Sequence, residues 1–368
     1  MDDNSLGRAF KITSFGESHG KVVGIIIDGI PAGLAFDRPF IQNELEKRKP
    51  GQSKVSTQRR EADEVKFLSG IFKNRTTGAP ICMIIKNKDV DSSKYEDLKD
   101  LLRPSHIDYT ALRKYGGFAD YRGSGRFSGR ITAGFVMAGA VAKLILRKYE
   151  ISVFAYTKSI GVIEDEQEYN FDDLDHLRAL REASIVRCMS NNISERMIKL
   201  IEEIKNENDS IGGTIKCVVT KFPAGVGGPV FHSLESDISR AMFSIPAVKA
   251  IEFGSGFNAG RMRGSEHNDP WRLIDGKVRP MKNDAGGIIG GISTGMPIKF
   301  RVAIKPTASI GIEQNTVNIK KMENTTFKLT GRHDPCIVPR VIVVIEAMTA
   351  ISLVDHLLLE GKIPKVFN

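Results

Sequence analysis

The sequence predicts an α+β fold with an internal pseudo-two-fold repeat, on three observations. Apolar strand segments are linked by helices in some places and by short Gly/Pro turns in others, a pattern that does not describe a purely parallel sheet. The glycine-rich stretches lack nucleotide-fold spacing. Gly123-Ser124-Gly125-Arg126 is not GxGxxG after a strand, and there is no GxxxxGK followed by Ser or Thr. Third, blocks of strand, turn and helix recur in the same order along the chain.

The first block opens with Val22–Gly29, a buried strand, followed by Ile30-Pro31-Ala32-Gly33-Leu34 and a helix near Arg38–Lys49 with Asp37 as N-cap. Its later counterpart is the strand Thr214–Phe222, the turn Pro223-Ala224-Gly225-Val226 and a helix near Leu234–Phe243. In a second pair, Thr77-Gly78-Ala79-Pro80-Ile81 leads into Cys82–Ile85, and Thr294-Gly295-Met296-Pro297-Ile298 leads into Phe300–Ile304, with Gly70 and Gly287 upstream. In a third, His106 precedes the apolar helix Thr132–Arg147, and His333 precedes Val341–Leu359. The expected organisation is one domain, 1–368, with related halves of about 1–150 and 210–368. A polar segment around Glu164–Asn208 joins them and carries one helix, Ser194–Asn206, with Met197, Ile198, Ile201 and Ile204 on one face.

Bulk properties narrow the function. At 368 residues, 41% hydrophobic and 26% charged, the chain can bury a substantial core. Apolar runs such as Val341–Ile345 and Val23–Ile27 are interrupted before membrane-spanning length, and the acidic, polar N-terminus does not read as a secretory signal. Cys82, Cys188, Cys217 and Cys336 lack CxxC pairing, so neither a zinc site nor a disulfide framework is expected, and a reducing cytoplasm is. The net charge of +9 is not gathered into basic runs beside aromatics, which argues against a nucleic-acid surface. Instead Arg48, Arg103, Arg122, Arg126, Arg130 and Arg332 stand singly in loops rich in Gly, Ser, Thr or Pro, a setting that suits carboxylate or phosphate on a small molecule.

Three of the seven histidines sit in such loops: Gly16-Glu17-Ser18-His19-Gly20, Arg103-Pro104-Ser105-His106-Ile107-Asp108 and Gly331-Arg332-His333-Asp334-Pro335. If the loops converge, they form a cationic pocket with proton-transfer groups. His19 would then be a general acid facing an anionic leaving group; the plainer reading is a histidine satisfying carbonyls in a tight turn. Beside His106, Arg103 offers an anion fork and Asp108 an orienting carboxylate. Tyr121–Arg130 alternates Gly with Arg, as a phosphate cradle would. Asp334 is a candidate base, and Lys305-Pro306-Thr307-Ala308-Ser309 a candidate anion or cofactor loop. The same residues would also suit a non-catalytic phosphate-ligand binding protein with a basic cleft.

The three histidine loops, together with Asp28-Gly29-Ile30-Pro31, Lys49-Pro50-Gly51, Thr57-Gln58-Arg59-Arg60-Glu61, Ala285-Gly286-Gly287 and Gly290-Gly291-Ile292-Ser293, resemble the signatures of chorismate synthases in order and spacing over almost the whole chain. The resemblance implies a β-α-β sandwich, a helical layer between antiparallel sheets, assembled as a homotetramer. It implies a carbon–oxygen lyase of the shikimate pathway that eliminates phosphate from 5-enolpyruvylshikimate 3-phosphate with reduced FMN. The electrons would come from an external reductant, with NADPH as an indirect source. His19, His106 and Asp334 would be catalytic. Arg126, Phe127, Ser128, Pro246, Ala247, Gly290, Lys305, Pro306, Thr307, Ala308, Ser309 and Arg332 would hold the flavin, and Arg48, Lys54, Arg103 and Arg130 the substrate or NADP. No metal is implied. Ile131 stands where the family generally has Glu after Arg130, Phe127 where a small hydroxyl residue is typical, Lys54 for a frequent Arg and Pro246 for a frequent Asn.

Overall fold

A computed structural model describes residues 3–49, 63–88, 99–328 and 334–368. Two antiparallel five-stranded sheets enclose a layer of helices. The first sheet takes strands β1 (Ser5–Leu6), β2 (Lys11–Gly16), β3 (Val22–Asp28), β4 (Lys66–Phe67) and β5 (Ile81–Lys86), in the order β1-β2-β3-β5-β4. The second takes β6 (Ser152–Ile160), β7 (Ile163–Glu164), β8 (Gly213–Thr220), β9 (Val248–Phe253) and β10 (Ile298–Ile304), in the order β7-β6-β8-β10-β9. The inner face follows from period-two alternation. Ile298, Phe300, Val302 and Ile304 are buried on β10, and Ile81, Met83 and Ile85 on β5.

The helices are α1 (Arg38–Glu46), α2 (Asp108–Tyr115), α3 (Thr132–Arg147), α4 (Leu174–Ala183), α5 (Asn191–Asn206), α6 (Leu234–Phe243) and α7 (Val338–Leu359). Asp37 caps α1, its carboxylate accepting the Phe40 N–H at 2.9 Å. α3 packs on β3 and α7 on β6, and the two cross each other between the sheets. At the crossing, a Cβ on Gly139 would lie 2.2 Å from the Ala347 methyl, so only glycine admits this approach. By length and composition Gly129–Arg147 and Val338–Leu359 could each cross a membrane. They are the central helices of the layer, with 83% and 94% of those windows buried. Their apolarity on all faces is that of core helices covered by a sheet and by each other.

The succession β3-α1-β4-β5-α3 parallels β8-α6-β9-β10-α7, and the sheet orders correspond strand for strand, with β2 answering β6. The second set of elements therefore begins at β6, near residue 152, rather than near 210. The segment 164–208 is not a connection between halves. It runs between β7 and β8, and its Phe171, Leu177 and Met189 pack on Phe154, Tyr156 and Val218, covering the outer face of the second sheet. That cover explains why β6 is buried almost throughout while β10 alternates.

Candidate active site

A cleft of about 800 Å³ opens where the N-terminal ends of α3 and α7 meet the C-terminal end of α6. Two helix N-termini bring partial positive charge to one wall. Of the residues singled out in the sequence, Arg48, His106, Arg126, Phe127, Ser128, Arg130, Pro246, Ala247, Lys305 to Ser309 and Asp334 line it. Residues up to Thr132 and from Phe243 onward both contribute.

His106 is fixed at both nitrogens. Its Nδ1 lies 3.2 Å from Asp108 Oδ1, and its Nε2 lies 3.1 Å from the Ser124 hydroxyl. Asp108 also accepts the Arg103 backbone N–H at 2.9 Å and Arg103 Nε and Nη2 at 2.8 and 2.6 Å. Burial alone would raise the Asp108 pKa. The bonds from Arg103 and His106 overcome it and hold the carboxyl well below the usual carboxylate range. An ionised Asp108 accepts from Nδ1–H, which leaves Nε2 to Ser124. Arg103 Nη2 donates to the same hydroxyl at 3.3 Å, so the hydroxyl proton points at His106. The anion fork expected of Arg103 is thus spent on Asp108, and Arg103 does not line the cleft.

His19 sits behind Ser18, which does line the cleft. The imidazole is 8% exposed and lies against Gly123, where an added Cβ would come 2.2 Å from Cδ2 and 2.4 Å from Nε2. Gly123, Ser124 and Gly125 all have positive φ, a left-handed run that brings Gly125 O to the Ser18 N–H at 3.1 Å. Asn87 Nδ2 closes the loop from the other side by donating to Glu17 O and Gly20 O at 3.0 and 2.8 Å.

The arginines are anchored rather than loose. Arg126 donates to Asn4 Oδ1, Ser14 Oγ and Ser14 O at 3.0, 3.0 and 2.7 Å, and burial lowers its pKa. Arg48 and Arg130 share the carboxylate of Asp63. Lys305 donates to Ser105 O at 3.3 Å, tying the second half to the His106 loop, and burial followed by the charge of Lys249 lowers its pKa. Two ammonium groups therefore face the cleft together. Asp334 pairs with Arg340, and its carbonyl accepts the Thr307 hydroxyl at 3.1 Å.

Gly290 lies elsewhere. Its hairpin, Ile288–Ile289 with Ile292–Ser293, meets the N-terminal end of α6 through Leu234 N–H to Gly291 O at 3.0 Å. The cleft is at the other end of that helix, roughly 15 Å away at 1.5 Å per residue. Lys54, Arg332 and His333 lie outside the described residues. Ser124, Lys249 and Arg340 line the cleft and were not singled out as ligands. The signal for Ser124 was its place between two glycines, and for Arg340 its spacing of six from Asp334.

The comparisons with known proteins are uniform. A family model described as chorismate synthase matches residues 10–358. A chorismate synthase of Dehalococcoides mccartyi strain BAV1 is 51% identical over 365 residues, covering 99% of each chain. One from Korarchaeum cryptofilum is 51% identical over 358 residues, 97% of this chain and 98% of its own. A crystal structure of chorismate synthase aligns with a TM-score of 0.76 at 30% identity, over 96% of this chain and 93% of the other.

Proposed function

The chain belongs to the chorismate synthase family and is a carbon–oxygen lyase that forms chorismate in the shikimate pathway. We propose that it does so by FMN-dependent anti-1,4-elimination of phosphate from 5-enolpyruvylshikimate 3-phosphate, in the cytoplasm and as a homotetramer. The observation that supports this most is the cleft itself, where cations from both halves and a carboxylate-oriented histidine meet in a volume of about 800 Å³.

The residues present fit a flavin phosphate and a tri-anionic substrate. Lys305, Lys249 and Arg126 supply positive charge, Thr307, Ser309 and Ser128 supply hydroxyls, and Phe127, Pro246 and Ala247 are apolar lining. Reduced FMN, when bound, would supply electron density to the breaking C–O bond and a basic nitrogen for the departing ring proton. The protein's own contribution is charge and proton placement. Arg48 and Arg130 would hold the substrate's anionic groups, a fit to which Lys54 and Arg332 would add. His19 would deliver a proton to the leaving phosphate, so that it departs as a better leaving group. His106, kept in one tautomer by Asp108 and Ser124, would hold a proton beside the electron-rich partner. Asp334, held by Arg340, would manage the proton lost from the ring. Gly290 is outside this set.

An anaerobic assay with chemically reduced FMN and 5-enolpyruvylshikimate 3-phosphate tests the proposal. Chorismate and phosphate should form in equal amounts without consumption of reductant, and NADPH should matter only through an external flavin reductase. Stoichiometric loss of reductant would identify an oxidoreductase instead, and ligand binding without phosphate release a binding protein.

A further inference from the structure

Asp63 lies in the segment leading into β4, and its side chain is sealed from solvent. Its Oδ2 accepts from Arg48 Nη2 at 3.2 Å and its Oδ1 from Arg130 Nη1 at 2.5 Å. Both arginines are among the residues lining the cleft, one from just after α1 and the other from the turn before α3. The partners are 15 and 67 residues from Asp63. Within its own turn Arg130 is followed by the apolar Ile131, so the carboxylate comes from a distant part of the chain.

Asp63 is itself clamped. Gln42 on α1 donates to Asp63 O at 2.7 Å and accepts the Val65 N–H at 3.1 Å, pinning the backbone on both sides of the aspartate. On the far side of Arg130, Asn87 Oδ1 accepts Nε at 3.0 Å while Asn87 Nδ2 holds the two carbonyls of the His19 loop. A continuous set of bonds therefore runs from α1 through Gln42, Asp63, Arg130 and Asn87 to the loop that carries His19.

We infer that Asp63 is a positioning residue for substrate binding: one buried carboxylate locks Arg48 and Arg130 into a single rigid anion receptor in register with His19. Two neighbouring guanidinium groups repel each other, and a carboxylate between them offsets that repulsion and sets their spacing. With it, both side chains are held in fixed directions at the wall of the cleft, and less ordering is left for binding to complete. The inference rests on the reading of this cleft as the substrate site.

The test is steady-state kinetics of Asp63→Asn with 5-enolpyruvylshikimate 3-phosphate at saturating reduced FMN, with inorganic phosphate as a competitive probe. The expected result is a KM raised at least about tenfold, with kcat and the apparent flavin affinity within about threefold, since binding in substrate and transition state falls together. The inhibition constant of phosphate should rise with KM. A purely structural role would lower the thermal midpoint and the active fraction, and so kcat, while leaving KM unchanged; that outcome overturns the inference. Should Asp63→Asn fail to fold, Gln42→Ala decides, because it frees the Asp63 backbone without touching either arginine. A KM rise of about threefold or more supports the inference and an unchanged KM overturns it. A wild-type protein without turnover would instead sink the functional reading.

Discussion

Replacing Asp108 by Asn keeps the side chain's shape and removes its charge, and it should reach the reaction only through His106. In the wild type the carboxylate takes three bonds from Arg103 and one from His106 Nδ1. An amide has one acceptor oxygen, and the two Arg103 donors that share Oδ2, the backbone N–H and Nε, hold it there, so the NH2 end turns toward His106. Nδ1 must then accept, the proton moves to Nε2, and Ser124 can no longer donate there. Complete loss of an acid–base group costs about two to four decades. His106 remains in the variant in the wrong tautomer, so a loss of about a hundredfold in kcat is expected, or about 2.7 kcal/mol at 1.36 per decade. The Arg103–Asp108 pair is largely buried, its side chains 12% and 21% exposed, so removing one charge should also lower the thermal midpoint. The Asp108 pKa is depressed in the fold, so its contribution to stability is complete above the ordinary carboxylate pKa of about 4 and is lost as pH falls below that. Stability of the variant should therefore lose part of its acid dependence, while nothing between pH 6 and 9 reflects Asp108 titration. The assay is anaerobic phosphate release for Asp108→Asn, His106→Ala and the double variant. If Asp108 acts through His106, the double variant is no slower than His106→Ala. Losses that multiply, or a kcat within twofold of wild type for Asp108→Asn, would refute the reasoning.

Gly123→Ala tests His19 without altering its chemistry. The new methyl meets the imidazole at about 2.2 Å on a residue with φ of +55°, so His19 must shift, and kcat should fall by at least about tenfold with flavin affinity unchanged. Normal turnover would remove His19 position from the mechanism. Asp334→Asn should lower kcat more than flavin affinity, because the amide keeps its place beside Arg340 and loses the charge that can take a proton; unchanged turnover at saturating flavin and substrate defeats that role. Ile131→Glu should lower the thermal midpoint, because Ile131 packs against the main core while it also edges the cleft. Burying part of a carboxylate there costs about 1–3 kcal/mol, and an unchanged midpoint with a raised substrate KM would show that the position belongs to the cleft instead.

Elements whose signals are local were legible. Asp37 as N-cap, the boundaries of α3 and α6, and strands β3, β5 and β10 follow from caps, turn glycines and periodicity, and the structure places each within a few residues. β6 carried no such signal. Ser152–Ile160 mixes apolar and polar residues without alternation, because both of its faces are covered and Lys158 bonds the Asp165 carbonyl internally. The cover comes from 164–190, whose amphipathic α4 was taken with the rest of a polar joining segment. A segment that seals an already two-layered sheet needs only a few large apolar residues, here Phe171, Leu177 and Met189, so its composition looks like a linker's.

The same division runs through the site. His106 and Asp108 are two residues apart, and their pairing could be read from the loop alone. Arg103 was misjudged for the same reason. Its partner was in view five residues away, and a guanidinium beside an available carboxylate forms the intraloop pair before it faces a ligand. Arg130 is the reverse case. Its turn holds no carboxylate, which suggests a side chain given wholly to anion binding, yet Asp63 reaches it from 67 residues away. A guanidinium as buried as Arg130, 9% exposed, is costly to bury without a compensating partner, so burial itself called for one somewhere. An arginine without a local carboxylate thus announces a distant one as readily as a ligand. The distant partner comes from the packing of β4 against β5, which brings Asp63 to Arg130.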